Sequence, residues 1–175
     1  LPIQAVEKDW WVTMVLKAVF SSSFAEHFVF KGGTSLSKAY HLIDRFSEDI
    51  DLAIDRKFLG FDGELSKTQI KKLRKAYGTF IVTDLFNELK IQLKKLGILN
   101  EEYELVTNNE IDDTSDPHTI ELQYQSIVEQ GDYLPQRVLI EIGSRSLMEP
   151  SESRPIESII GSVFPEQKFA IKPFD

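Results

Sequence analysis

One block of the chain constrains its fold more than any other: KGGTSLSKAYHLIDRFSEDIDLAI, from Lys31 to Ile54. The aromatic run His27 to Phe30 just before it suits a buried strand. Gly32-Gly33 breaks that strand, and Thr34 or Ser35 can cap a helix. Leu36, Ala39, Tyr40 and Ile43 then recur at i, i+3, i+4 and i+7, which is a single apolar stripe. From Asp49 the pattern switches to period two. Ile50, Leu52 and Ile54 share one face of a strand, and Asp49, Asp51 and Ala53 share the other. The block therefore specifies strand, glycine turn, helix and strand in immediate succession.

That order has a chemical logic. A helix N-terminus offers unpaired N–H groups and the positive end of its dipole. Gly32 and Gly33 let a phosphate approach the backbone without Cβ obstruction, and Thr34 and Ser35 add hydroxyl donors. Asp49 and Asp51, two apart on a strand, project from one face. Hard oxygen ligands of that kind suit Mg²⁺, which shares its remaining positions between water and substrate phosphates. A nucleoside triphosphate carrying Mg²⁺ would satisfy both ends of the block. The spacing by itself decides nothing, because five acid-x-acid pairs occur in a chain with 28 acidic residues. A capped helix beside a solvated acidic strand is the rival reading. Two other phosphate signatures fail: neither GxxxxGK[ST] nor GxGxxG is present.

The remaining pattern predicts a mixed α+β domain without strict βαβ alternation. Glu7 to Phe20 reads as a helix with Trp11, Val12, Val15, Leu16 and Val19 on one stripe. A long helical pattern spans Ser66 to Leu96, with Gly78 as the expected point of a split or bend. Glu101 to Thr107, Thr119 to Gln125 and Gln136 to Gly143 read as strands. Acidic and glycine-containing turns, Glu110 to Pro117 and Gly131-Asp132, separate them. Pro155 to Gly161 is expected to form a short helix. Trp10-Trp11 reads as core or interface. His27, His41 and His118 are scattered without zinc spacing and read as structural.

Charge and composition narrow the function. A net charge of −8 disfavours a general nucleic-acid coat or an anionic membrane surface. The one dense basic cluster is KKLRK, Lys71 to Lys75, read as a solvated helix face or as a contact for an RNA acceptor. No cysteine is present, so thiolate metal sites and disulfides are excluded, which fits a reducing cytoplasm. No apolar run approaches the ~20 residues of a membrane helix. Leu1 in place of an initiator methionine, and the abrupt end at Asp175, suggest a core domain, residues 1–175, taken from a longer protein.

The block FKGGTSLSKAYHLIDRFSEDIDLAI resembles the signature of the nucleotidyltransferase superfamily, and more narrowly that of the AbiEii/AbiGii toxin family (DUF1814-like). EKDWWV near the start and RVLIEIGSRS near the end also match that family's layout. The resemblance implies the nucleotidyltransferase, polymerase-beta-like fold: a mixed sheet flanked by helices, with carboxylates on its open face. It implies that Gly32, Gly33, Thr34 and Ser35 cradle the triphosphate and that Asp49 and Asp51 hold two Mg²⁺ ions. A third carboxylate is expected on a later strand. Glu141 is the candidate, since Val138, Ile140 and Ile142 face one way and Leu139 and Glu141 the other. Arg45 and Ser47 match the family's RxS and would brace the turn before the aspartates. Lys38 lies off the apolar helix face, either solvated or against phosphate.

The activity so implied is Mg-dependent transfer of NMP from an NTP to an acceptor hydroxyl, on tRNA or another RNA. The setting would be the toxin of a type IV toxin–antitoxin or abortive infection system, with a cognate antitoxin as partner. Family members usually continue into a helical region bearing a further lysine and aspartate, and this chain ends before one. Two alternatives differ in class: a nucleotide- or antitoxin-binding module without catalysis, and an NMP transferase acting on protein or small-molecule acceptors.

Overall fold

The computed structural model describes residues 2–31, 49–107, 118–128, 135–143, 154–156 and 169–171. Helix α1, Ile3–Phe20, leads into strand β1, Phe28–Lys31, and strand β2 is Asp49–Ile54. Helices α2, Lys67–Phe80, and α3, Phe86–Lys95, are joined by a wider π-helical turn, Ile81–Leu85. Strands β3, Tyr103–Thr107, β4, His118–Tyr124, and β5, Arg137–Gly143, follow. A short hairpin pairs β6, Arg154–Ile156, with β7, Phe169–Ile171.

The main sheet has the order β1-β2-β5-β4-β3. Only the central β2–β5 pair is parallel; its neighbours are antiparallel. Period-two alternation divides the sheet cleanly. Phe28, Phe30, Ile50, Leu52, Ile54, Ile120, Leu122, Val138, Ile140 and Ile142 are all fully buried. They form one core with Val12, Val15, Leu16 and Val19 of α1 and with Leu73, Tyr77, Leu85, Leu89 and Leu93 of the α2–α3 unit. The described helices thus lie on one face of the sheet, and the alternate residues of the strands face away from that core.

Helix α1 is buried on nearly every side, because it packs against the sheet, α3 and β7. Even Lys8 is only 1% exposed, and its ammonium donates to the carbonyl of Pro135 at 3.3 Å. Glu7 accepts from the Ser126 hydroxyl at 2.6 Å and the Ile127 N–H at 2.8 Å, tying the start of α1 to the chain leaving β4. Trp11 is core, stacked on Tyr124 with centroids 5.2 Å apart, and Trp10 meets its edge at 5.1 Å. His27 stacks on Phe58 at 4.0 Å, a structural role, while His41 lies outside the described residues.

The long helix begins where the sequence predicts. Ser66 forms a reciprocal capping box with Gln69, which satisfies two otherwise orphaned N–H groups. Gly97, at φ +85°, ends it in the left-handed region. Gly78 does not split the helix, which runs through it and widens only at Ile81. Its role is close packing: a Cβ at this position would lie 2.7 Å from Nε2 of the buried His118. Overpacking of this kind costs about 1–3 kcal/mol, against a helix-propensity gain of at most about 1 kcal/mol for alanine. Gly78→Ala should therefore lower stability in urea unfolding by about 1 kcal/mol net. A stabilised variant would show that the His118 ring swings aside freely.

One expectation is overturned. Pro155 and Ile156 belong to a strand rather than to a helix beginning at Pro155. Pro155 pairs with Ala170 in a two-stranded ribbon, where a missing N–H is tolerated because only one side of each strand needs a partner. The stretch 157–161 lies outside the described residues, as do the turns 110–117 and 131–132.

Candidate active site

The sheet face turned away from the helices carries the candidate residues, and strand register determines which of them meet. Lys31 of β1 stands opposite Asp51 of β2, and Asp51 stands opposite Glu141 of β5. Glu141 in turn stands opposite Thr119 of β4. These four half-buried residues form one polar row across four strands. The adjacent row carries the exposed Asp49, opposite Leu139, and then Glu121. Directly opposed residues of neighbouring strands lie within reach of each other's side chains. Strand pairing thus unites acids that are remote in the chain.

Asp51 and Glu141 stand directly opposed on this face, so their carboxyls lie within reach of one another. Glu141 is accordingly held above the ordinary glutamate range. Hydrogen bonding of the protonated Glu141 carboxyl to the Asp51 carboxylate is the main cause, followed by burial and by the negative charges of Asp51 and Asp49. Lys31 acts in the opposite sense and favours the charged form.

This shift has a consequence for stability. Because the folded protein holds the Glu141 proton to higher pH than the unfolded chain does, the folded state binds more protons between the two values. Stability must fall as pH rises through that window, and the penalty is complete once pH lies above the raised value. Glu141→Gln keeps a donor toward Asp51 and removes the charge. In the presence of a chelator the variant should be more stable than the parent at pH 7 and lose this advantage below pH 4. Urea unfolding of both proteins across that range measures the difference directly, and parallel pH profiles would contradict the upward shift of Glu141.

The arrangement suits a hard divalent cation. All three acids offer oxygen only, and two of them stand directly opposed across the parallel strand pair, where a cation relieves their repulsion. Among the described residues, no three His, Asp or Glu side chains gather closely enough to form a complete cage. Mg²⁺ characteristically needs no such cage, being bound through one or two carboxylates with water and substrate phosphates completing the shell.

Of the residues singled out in the sequence, Asp49, Asp51 and Glu141 share this face. Gly32, Gly33, Thr34, Ser35 and Lys38 lie outside the described residues, as do Arg45 and Ser47. Lys31 and Thr119 were not expected in the row, since cross-strand neighbours become visible only when register is known. The basic cluster on α2 turns outward: Lys71, Lys72 and Lys75 are exposed while Leu73 enters the core. Among the described residues no helix is long and apolar enough to cross a membrane.

Comparison with known proteins agrees with this architecture. No curated protein matches the chain. The family described as "Nucleotidyl transferase AbiEii toxin, Type IV TA system" matches residues 15–172, which includes the glycine turn, both strands of the acidic pair and the polar row. The five-stranded mixed sheet with helices on one face accords with a nucleotidyltransferase-like fold. The chain belongs to the AbiEii nucleotidyl transferase toxin family of type IV toxin–antitoxin systems.

Proposed function

We propose that this protein transfers an NMP unit from an NTP to an acceptor hydroxyl in a Mg²⁺-dependent reaction, with Asp49, Asp51 and Glu141 as the metal ligands. The observation that carries the reading is the Asp51–Glu141 carboxyl pair, opposed across parallel strands on the face turned away from the core. Asp49 and Asp51 would hold the ion associated with the triphosphate, and Asp51 and Glu141 the one nearer the acceptor. Bound there, two Mg²⁺ ions would supply activation of the hydroxyl and neutralisation of the departing pyrophosphate.

The chain's own residues do the rest. Gly32, Gly33, Thr34 and Ser35 receive the triphosphate through backbone N–H and hydroxyl donors, with Lys38 as a further phosphate contact. The acceptor oxygen bonds to the α-phosphorus while the bond to the bridging oxygen breaks, and pyrophosphate leaves. Glu141 or Asp51 accepts the hydroxyl proton. The acceptor is an RNA hydroxyl, reached by a chain of net charge −8 through the exposed basic stripe of α2. A cognate antitoxin is the expected regulatory partner.

The test is to incubate the protein with each labelled NTP, Mg²⁺, and total cellular RNA and protein. A labelled RNA band, with pyrophosphate released, is expected. Label on protein or on a small molecule would reassign the acceptor. NTP binding without pyrophosphate release would identify a binding module instead.

A further inference from the structure

The polar row contains a residue that the carboxylate reading does not use. Lys31 is the last residue of β1, directly opposite Asp51 and immediately before Gly32-Gly33 in the chain. It is half-buried, and its charge reaches Glu141 across the intervening strand. The other base on this face among the described residues, Arg137, is already committed to Glu121 at 3.1 Å. Among the described residues, Lys31 is thus the cation set beside the acidic pair.

Its position raises a question of charge. A lysine beside two carboxylates stabilises them while they are unliganded. Once divalent cations neutralise those acids, the ammonium is left beside like charge and needs an anionic partner. The atoms available are the non-bridging oxygens of the polyphosphate that those cations carry. Resting on the carboxylate reading above, we propose that Lys31 is a polyphosphate-binding residue, contacting the triphosphate of the NTP from the edge strand. In the unliganded protein the same side chain serves as the counter-charge of Asp51 and Glu141. The competing role is that of an edge guard: β1 is the outer strand of the sheet, and a charge there discourages pairing with another chain.

The experiment compares the parent protein with Lys31→Met and Lys31→Arg, using inorganic tripolyphosphate in the presence of Mn²⁺ and, separately, Mn²⁺ alone as calorimetric probes. Loss of one charge-assisted hydrogen bond should weaken tripolyphosphate by about tenfold in Lys31→Met, and arginine should largely restore it. Mn²⁺ affinity should be unchanged or tighter in Lys31→Met, because a repelling charge has gone. Equal tripolyphosphate affinity in parent and Lys31→Met overturns the assignment and leaves the edge guard. Parallel loss of Mn²⁺ and tripolyphosphate also overturns it, since the residue would then only support the site. A parent protein that binds neither probe takes down the carboxylate reading together with this one.

Discussion

Asp51→Ala is expected to reduce NMP transfer by about 10²–10³-fold, the range seen when one preorganised electrostatic group is removed from an active site. Asp51 is the hub of the polar row, since it faces Lys31 on one side and Glu141 on the other. It is also the residue proposed to serve both ions. Its side chain points away from the core formed by Ile50, Leu52 and Ile54, so truncation opens no cavity. The opposed Glu141 is relieved of a like charge, so the variant should unfold at the same denaturant concentration as the parent or a higher one. Initial rates of label transfer, measured beside urea unfolding, check both halves of the expectation. Turnover within a few-fold of the parent would remove Asp51 from the mechanism.

The largest expected effect on stability belongs to Trp11→Ala, about 3–5 kcal/mol. Trp11 is 5% exposed and lies face to face with Tyr124, with an interplanar angle of 15°. It also approaches Tyr103 at 6.3 Å, so a single ring joins α1 to both β3 and β4. Removing it deletes a large apolar surface, an offset stack and the edge contact with Trp10 at one stroke. The surrounding strands are fixed by their own hydrogen bonds and cannot collapse far into the space. A loss of that size is a large fraction of a typical domain's 5–15 kcal/mol. Urea unfolding should show a much lower midpoint with an unchanged slope. A loss below about 1 kcal/mol would mean that α1 repacks onto the sheet without its ring.

Much of this architecture is written locally in the chain. Strand β2 matches the predicted Asp49 to Ile54 because three buried aliphatics alternate without interruption. The long helix is legible from its capping serine to its closing glycine, since both ends carry their own chemistry. Glu141 can be placed on the polar face of β5 from its neighbours alone. Pairing is another matter. Nothing local says that β2 and β5 lie parallel and in the register that sets Asp51 against Glu141, so the acidic pair and the presence of Lys31 and Thr119 beside it emerge only from the fold.

Misreadings have physical causes too. Helix α1 extends back to Ile3 and buries Lys8 and Asp9, because it is enclosed by sheet, α3 and β7, and its amphipathic stripe understates its burial. Gly78 looks like a helix breaker in one dimension and is a packing notch for His118 in three. Pro155 resembles the first residue of a helix, yet a two-stranded ribbon accommodates it equally well.

The central claim is that carboxyls from two parallel strands form a divalent-cation site on the open face of the sheet. Calorimetric titration of Mn²⁺ into the parent protein and into Asp51→Asn, without nucleotide, tests it most directly. The parent should bind, and the variant, isosteric but uncharged, should lose about 100-fold in affinity, at the upper end of what even indirect ligand partners contribute. Equal binding by the two proteins would contradict the claim.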